Sequence, residues 1–467
     1  MSAPDNRSWD EVVDSLRTAA RDVRSAIGRA GSPSADDNAA AARLKGEVQG
    51  QVPFSGWVVR LGSSEASRDS PHAMDLPGSS LMTNAAGFST RCIHAGEAPD
   101  PTTGAHGVPL YQNVTFAFET NGQVEAMRSG ERPHFTYSPR GNPTVRCLEL
   151  KIADLEGAEA SIAMSSGMAA ISSVLLTLLA QGGHLVASDQ LYDLTSDFMR
   201  DDLPALGGST SFVDLSDVDA IQGAISPRTR AIYVEPFSNP LLRVSDIRML
   251  ANIAHENDLL LVVDNTFLSP ALLRPVALGA DIVLHSATKY LSGNGQVQGG
   301  VVSGTRRLID PIRSRALRLG ATMPPFAAWL LLAGIHTLPL RMERHSENAS
   351  RLAGLLAAHP AVAEIHYPGL SSDPGHALAA SLLGAGQTHF GGMIAFTLAA
   401  GHDATGPFLD ALELCTIAVS LGDSSTLVWP WPCGDLIRIS TGLEDFGDLE
   451  ADIVRALNAV VPATAAV

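Results

Sequence analysis

Lys289, Asp264 and the short segment Met164–Met168 are the residues of this 467-residue chain whose types and placement carry chemistry. In Asp281–Tyr290 (DIVLHSATKY) an apolar run delivers Lys289 into a loop with Ser286 and Thr288 beside it. A lysine at the end of a buried strand is costly unless it is neutralised or used, and a Schiff base to a cofactor aldehyde does both. Taken alone, most such lysines simply reach solvent. Leu259–Thr266 (LLLVVDNT) ends a second apolar run with Asp264, which can pair with a protonated pyridine nitrogen or serve as an ordinary turn aspartate. Met164–Met168 (MSSGM) precedes an apolar helical run, Ala169–Leu179. Small residues at a helix start leave N–H groups for a phosphate, although a plain serine cap fits the same letters. The conjunction of cradle, carboxylate and lysine in chain order is far more specific than any one of them.

Such residues need a scaffold that presents strand ends together. From about residue 86 onward, short β-branched runs (Ala231–Glu235, Leu259–Asp264, Asp281–His285) alternate with helical stretches such as Asp246–Asn257. That alternation predicts an α/β domain with a mainly parallel sheet, whose ligands gather beyond the carboxyl ends of the strands. Beyond Phe326 the pattern changes. Helical stretches through Trp329–Leu332 and Arg341–Ala358 are followed by strand-like runs at Gly392–Thr397 and Leu436–Ser440, which reads as a smaller α+β domain. In the first 85 residues Trp9, Val12, Leu16, Ala19, Val23 and Ile27 recur at helical spacing behind Ser8, and Ser/Gly/Pro-rich linkers follow. This extension reads as a helical arm or a partly disordered segment without chemistry of its own.

Composition narrows the class. The chain is 45% hydrophobic and 17% charged, which suits a large buried core. Its net charge of −17 argues against nucleic acid as a partner, because phosphate binding needs a concentrated basic surface. No apolar run reaches membrane-spanning length, and no signal peptide is visible. Cys92, Cys147, Cys415 and Cys433 are widely spaced, so neither a disulfide framework nor a metal site is expected. Reduced thiols in the cytoplasm are the expectation.

The motifs YSPRGNPT, SSGM, VDNTF, HSATKY, LPLRMERH and RISTGLED resemble those of the Cys/Met-metabolism pyridoxal-phosphate (PLP) enzymes, the cystathionine γ-synthase and methionine γ-lyase group. The resemblance runs from about Thr90 to near Leu457. It implies the aspartate-aminotransferase-like type I fold, with residues 86–150 as an arm reaching a neighbouring active site, 151–325 as the PLP-binding domain and 326–467 as the small C-terminal domain. It implies that Lys289 holds PLP and shuttles protons, and that Asp264 faces the ring nitrogen. Gly167 and Met168 would offer N–H groups to the phosphate, and Ser286 and Thr288 hydroxyls. Tyr192 would stack on the ring and assist proton transfer, and Asn239 would lie near the ring hydroxyl. Arg438 would clamp the carboxylate of a small amino-acid substrate, with Ser420 lining the same region. Tyr137 would reach the phosphate of a neighbouring subunit, which implies a homo-oligomer, a dimer of dimers.

Several positions depart from that pattern. Pro139 stands where the phosphate arginine is expected, so either Arg140, one place later, reaches the phosphate through a shifted backbone, or the phosphate loses one cation. Asn294 and Gln296 replace a histidine and an aspartate, and Trp429-Pro-Trp-Pro leads almost directly to Arg438. Leu194 occupies the place of a reactive cysteine of methionine γ-lyases, and Val419 that of a glutamate found in some relatives. The expected reaction is γ-replacement on an activated homoserine through a vinylglycine-like intermediate. Its alternatives are γ-elimination to a 2-keto acid and ammonia, β-elimination on cysteine or cystathionine, and a catalytically silent scaffold.

Overall fold

The computed structural model describes residues 86–384, 386, 388–431 and 435–461. The expected helix through Trp9–Ile27 and the linkers after it lie outside these residues. Among the described residues twelve strands form two sheets: β1 Ala160–Met164, β2 His184–Ser188, β3 Ser209–Val213, β4 Thr229–Val234, β5 Leu260–Asp264, β6 Ile282–Ser286 and β7 Gly300–Gly304 in the first, and β8 Val362–His366, β9 Met393–Leu398, β10 Thr416–Ile417, β11 Leu427–Pro430 and β12 Leu436–Ser440 in the second. The larger sheet runs β1-β7-β6-β5-β4-β2-β3. β2 to β6 and β3 pair in parallel, and β7 runs antiparallel to both of its neighbours. The smaller sheet runs β10-β11-β12-β9-β8 and is antiparallel apart from β10.

The principal helices are α1 Phe88–His94, α2 Pro143–Glu156, α3 Gly167–Leu178, α4 Ile247–Glu256, α5 Arg306–Leu319, α6 Pro325–His336, α7 Leu338–Ala358 and α8 Phe446–Asn458. Both faces of the larger sheet are covered, which is why its strands read as continuous apolar runs rather than alternating ones. Val263, Val283 and Val234 belong to one core, and Val262, Leu284 and Tyr233 to the other. α7 begins at Leu338, so Pro339 sits in its first turn rather than ahead of it; a proline is tolerated there because its missing N–H has no partner to lose. Among the described residues no helix is long and apolar enough to cross a membrane.

Candidate active site

A cavity of about 720 Å³ opens where β4, β5 and β6 end, and the second sheet's strand β12 and its preceding loops close it. Of the residues predicted from the sequence, Gly167, Met168, Tyr192, Asn239, Asp264, Ser286, Thr288, Lys289, Ser420 and Arg438 all line it. Tyr137 and Arg140 do not. Both are exposed, and Arg140 lies at a second cavity together with Pro139 and Arg313.

The apolar start of α3 makes the first part of the site. Ser166 caps the helix by accepting from Ala169 N, so the plain serine cap and the open N–H groups coexist. The N–H groups of Gly167 and Met168 find no acceptor among the described residues. Ser286 stands directly against Gly167, where an added Cβ would come within 2.8 Å of the Ser286 Cβ. Two free N–H groups at a helix N-terminus and an adjacent hydroxyl suit a phosphate. The Thr288 hydroxyl exchanges hydrogen bonds with Gly299 N and O at the cavity wall.

Asp264 closes β5, and only 7% of it is exposed. Its Oδ1 accepts from Thr266 N (3.1 Å) and the Thr266 hydroxyl (2.5 Å), and its Oδ2 from the Tyr233 hydroxyl (3.4 Å). Burial raises its pKa, opposed by the Thr266 hydrogen bonds and by His285. Glu235, on the adjacent strand end, is raised well above the carboxylate range by burial and then by the Asp264 charge. Burial therefore disfavours the charged form of both carboxyls, and of the two the upward push is the larger on Glu235. Glu235 Oε1 accepts from Tyr192 N at 2.9 Å, which fixes the tyrosine at the cavity wall. Burial and then the Asp193 charge hold the Tyr192 phenol above its usual value.

Lys289 follows β6 by three residues. Its Nζ donates to Ser420 Oγ at 2.6 Å and has no carboxylate partner among the described residues. Burial, and then the Arg438 charge, lower its pKa to about 8. Ser420 reaches it because Gly422, at φ +72°, lets the loop press against the Lys289–Tyr290 backbone. Ser420 is itself at φ +88°, a strained conformation of the kind that concentrates at functional sites. Arg438 is buried in β12, with Nη1 on Asn239 Oδ1 (2.8 Å) and Nη2 on Ser420 O (3.2 Å). Arg341 of the LPLRMERH motif stands outside the cavity and fastens the segment after the lysine through Tyr290 O (2.8 Å) and Gly334 O (2.6 Å).

Sequence reasoning missed Tyr233 and the Thr266 bridge between Asp264 and Ser286 N, whereas the Trp429-Pro-Trp-Pro loop, expected beside the substrate-carboxylate end of the pocket, does line the cavity through Trp429 and Trp431. An anion cradle, a carboxylate placed for a ring nitrogen and a lysine without a counter-ion fit PLP part by part.

Fold and site together define a type I PLP-dependent enzyme. The profile of the Cys/Met metabolism PLP-dependent enzymes matches residues 89–433, and the chain belongs to that family. It is 43% identical over 393 residues to the L-methionine gamma-lyase of Pseudomonas putida, covering 80% of this chain and 98% of the relative. It is 38% identical over 393 residues to the O-succinylhomoserine sulfhydrylase of Pseudomonas aeruginosa, covering 80% and 96%. The crystal structure of metB from Corynebacterium glutamicum superposes with a TM-score of 0.76 at 37% identity, covering 80% and 98%. The cofactor is PLP, and the protein is an enzyme of Cys/Met metabolism, a family in which one of these relatives is named a gamma-lyase and the other a sulfhydrylase.

Proposed function

We propose that the enzyme carries out γ-replacement on a homoserine activated by a small uncharged group, such as O-acetylhomoserine, with a thiol as the incoming partner. The observation that carries this reading is the charge inventory of the cavity. Its basic residues, among those described, are Lys289 and Arg438, and its acidic ones are Asp193, Glu235 and Asp264. Once Lys289 holds the cofactor, Arg438 the substrate's α-carboxylate and a neighbouring subunit's Arg140 the phosphate, no cation in this set remains for a distal carboxylate. A succinyl group or a second amino acid is therefore poorly served, because burying an unpaired carboxylate is costly. Leu194 and Val419 add apolar surface at the same mouth.

Bound PLP supplies an aldehyde for the substrate amine and a ring that spreads the negative charge left at the α-carbon. Gly167, Met168 and Ser286 bind its phosphate, and Asp264 keeps the ring nitrogen protonated. Arg438, held in place by Asn239 and the Ser420 carbonyl, orients the substrate through a bidentate pair. The released Lys289 amine takes the α-proton and returns protons further along the side chain. With a pKa of about 8 it is neutral in a useful fraction near neutral pH. Tyr192, whose phenol burial holds above its usual pKa, lines the same cavity and is a proton donor for it. Tyr137 and Arg140 lie exposed and away from their own chain's cavity, which supports their service to a neighbouring subunit of a homo-oligomer. The three described cysteines are buried free thiols, in keeping with a cytoplasmic enzyme.

The test is to give holoenzyme O-acetylhomoserine with and without a small thiol and to follow products by mass spectrometry. A thioether amino acid formed only with thiol is the expected result. Equal 2-ketobutyrate in both tubes overturns it in favour of γ-elimination, the second reading, with methionine the next substrate to try, as the name of the 43%-identical relative suggests.

A further inference from the structure

β11 and β12 pair antiparallel, with Trp429 opposite Arg438. Side chains alternate along a strand, so Trp431 falls on the same face as Trp429, and its N–H to Leu436 O bond extends the strand geometry. Both indoles are half-buried in the cavity wall. The Arg438 guanidinium carbon lies 5.4 Å from the centre of the Trp431 ring. Neither indole N–H has a partner among the described residues, whereas Trp329 donates to Val108 O. Leu194 and Val419, 49% and 59% exposed, stand at the same cavity. The region beside the carboxylate clamp is thus a pair of broad aromatic faces with an apolar rim, with more apolar surface than a methyl group can cover.

We propose that Trp429 and Trp431 form a subsite for a flat apolar group on the thiol, so that the enzyme takes aryl and arylalkyl thiols in preference to small alkyl ones. This rests on the γ-replacement reading. In the reaction the carbon–oxygen bond to acetate breaks first, and a sulfur–carbon bond then forms at the same γ-carbon. Acetate leaves with the electron pair, the thiol proton passes to solvent, and no oxidant or reductant is consumed.

The experiment uses holoenzyme, O-acetylhomoserine and equal methanethiol and benzyl thiol in one tube, with the product ratio read by mass spectrometry. The two thiols compete for the same carbon, so the ratio is independent of overall turnover. Replacing either tryptophan by leucine is expected to lower the benzyl-to-methyl ratio by about three- to tenfold, and the intrinsic reactivity of the thiols cancels in that comparison. Trp431→Phe is expected to retain most of the preference. A ratio unchanged in both leucine variants overturns the proposal. Where a variant does not fold, wild type is offered benzyl and cyclohexylmethyl thiols: an excess of the benzyl product supports a flat-group subsite, and equal products overturn it. If no thiol gives a thioether, the replacement reading has failed on its own, and the subsite is read instead by competition between S-benzylhomocysteine and methionine in elimination. There too a benzyl preference that falls in the leucine variants supports it, and none overturns it.

Discussion

Lys289 offers a sharp test of how burial prepares the site. Removal from water and then the nearby Arg438 charge bring its pKa from 10.5 to about 8. Only the neutral amine captures an aldehyde. At pH 7 a pKa of about 8 leaves about one amine in eleven neutral, against about one in three thousand at 10.5, a gain of roughly 300-fold in reactive form. Apoprotein mixed with PLP over a pH series is therefore expected to capture it at a rate that climbs about tenfold per pH unit and levels off above about pH 8. The rate is followed by the visible absorbance of the bound cofactor. A free alkyl amine run in the same buffers corrects for titration of PLP itself. Arg438→Gln removes the smaller of the two causes, so its plateau is expected at higher pH, yet still below that of the free amine because burial remains. A wild-type rate that keeps climbing tenfold per unit through about pH 9 to 10 would refute the claim that the site itself prepares this amine.

Two further substitutions probe the cofactor's other contacts. Asp264→Asn keeps shape but not charge, and is expected to lower kcat by about 100-fold or more with PLP still bound; a loss below about tenfold in steady-state assay contradicts its assignment to the ring nitrogen. Gly167→Ala places a Cβ within 2.8 Å of the Ser286 Cβ, and is expected to weaken PLP affinity by at least about tenfold in a fluorescence titration. Unchanged affinity there would remove the phosphate from the start of α3.

Much of this was legible in the sequence because it is local. An apolar run of five or six residues ending in an aspartate or leading to a lysine is a strand and its end, and β12 occupies the same residues, Leu436–Ser440, that the pattern predicts. Strand direction is not local: nothing in Gly300–Gly304 says that β7 runs antiparallel to both neighbours. The conjunction of motifs, with the family resemblance it carries, identified Lys289, Asp264, Gly167 and Arg438 as a set, because each residue type has one chemical use when the others are present. What only the tertiary structure decided are meetings across long chain separations and the environments they create. Asn239 reaches Arg438 from 199 residues away, and Ser420 reaches Lys289 from 131. Burial first and then the Asp264 charge raise the pKa of Glu235, and Lys289 loses affinity for its proton because packing removes water and brings Arg438 near. A sequence names the charges, but a pKa and a subsite depend on which charges, waters and rings surround them, and only packing sets that.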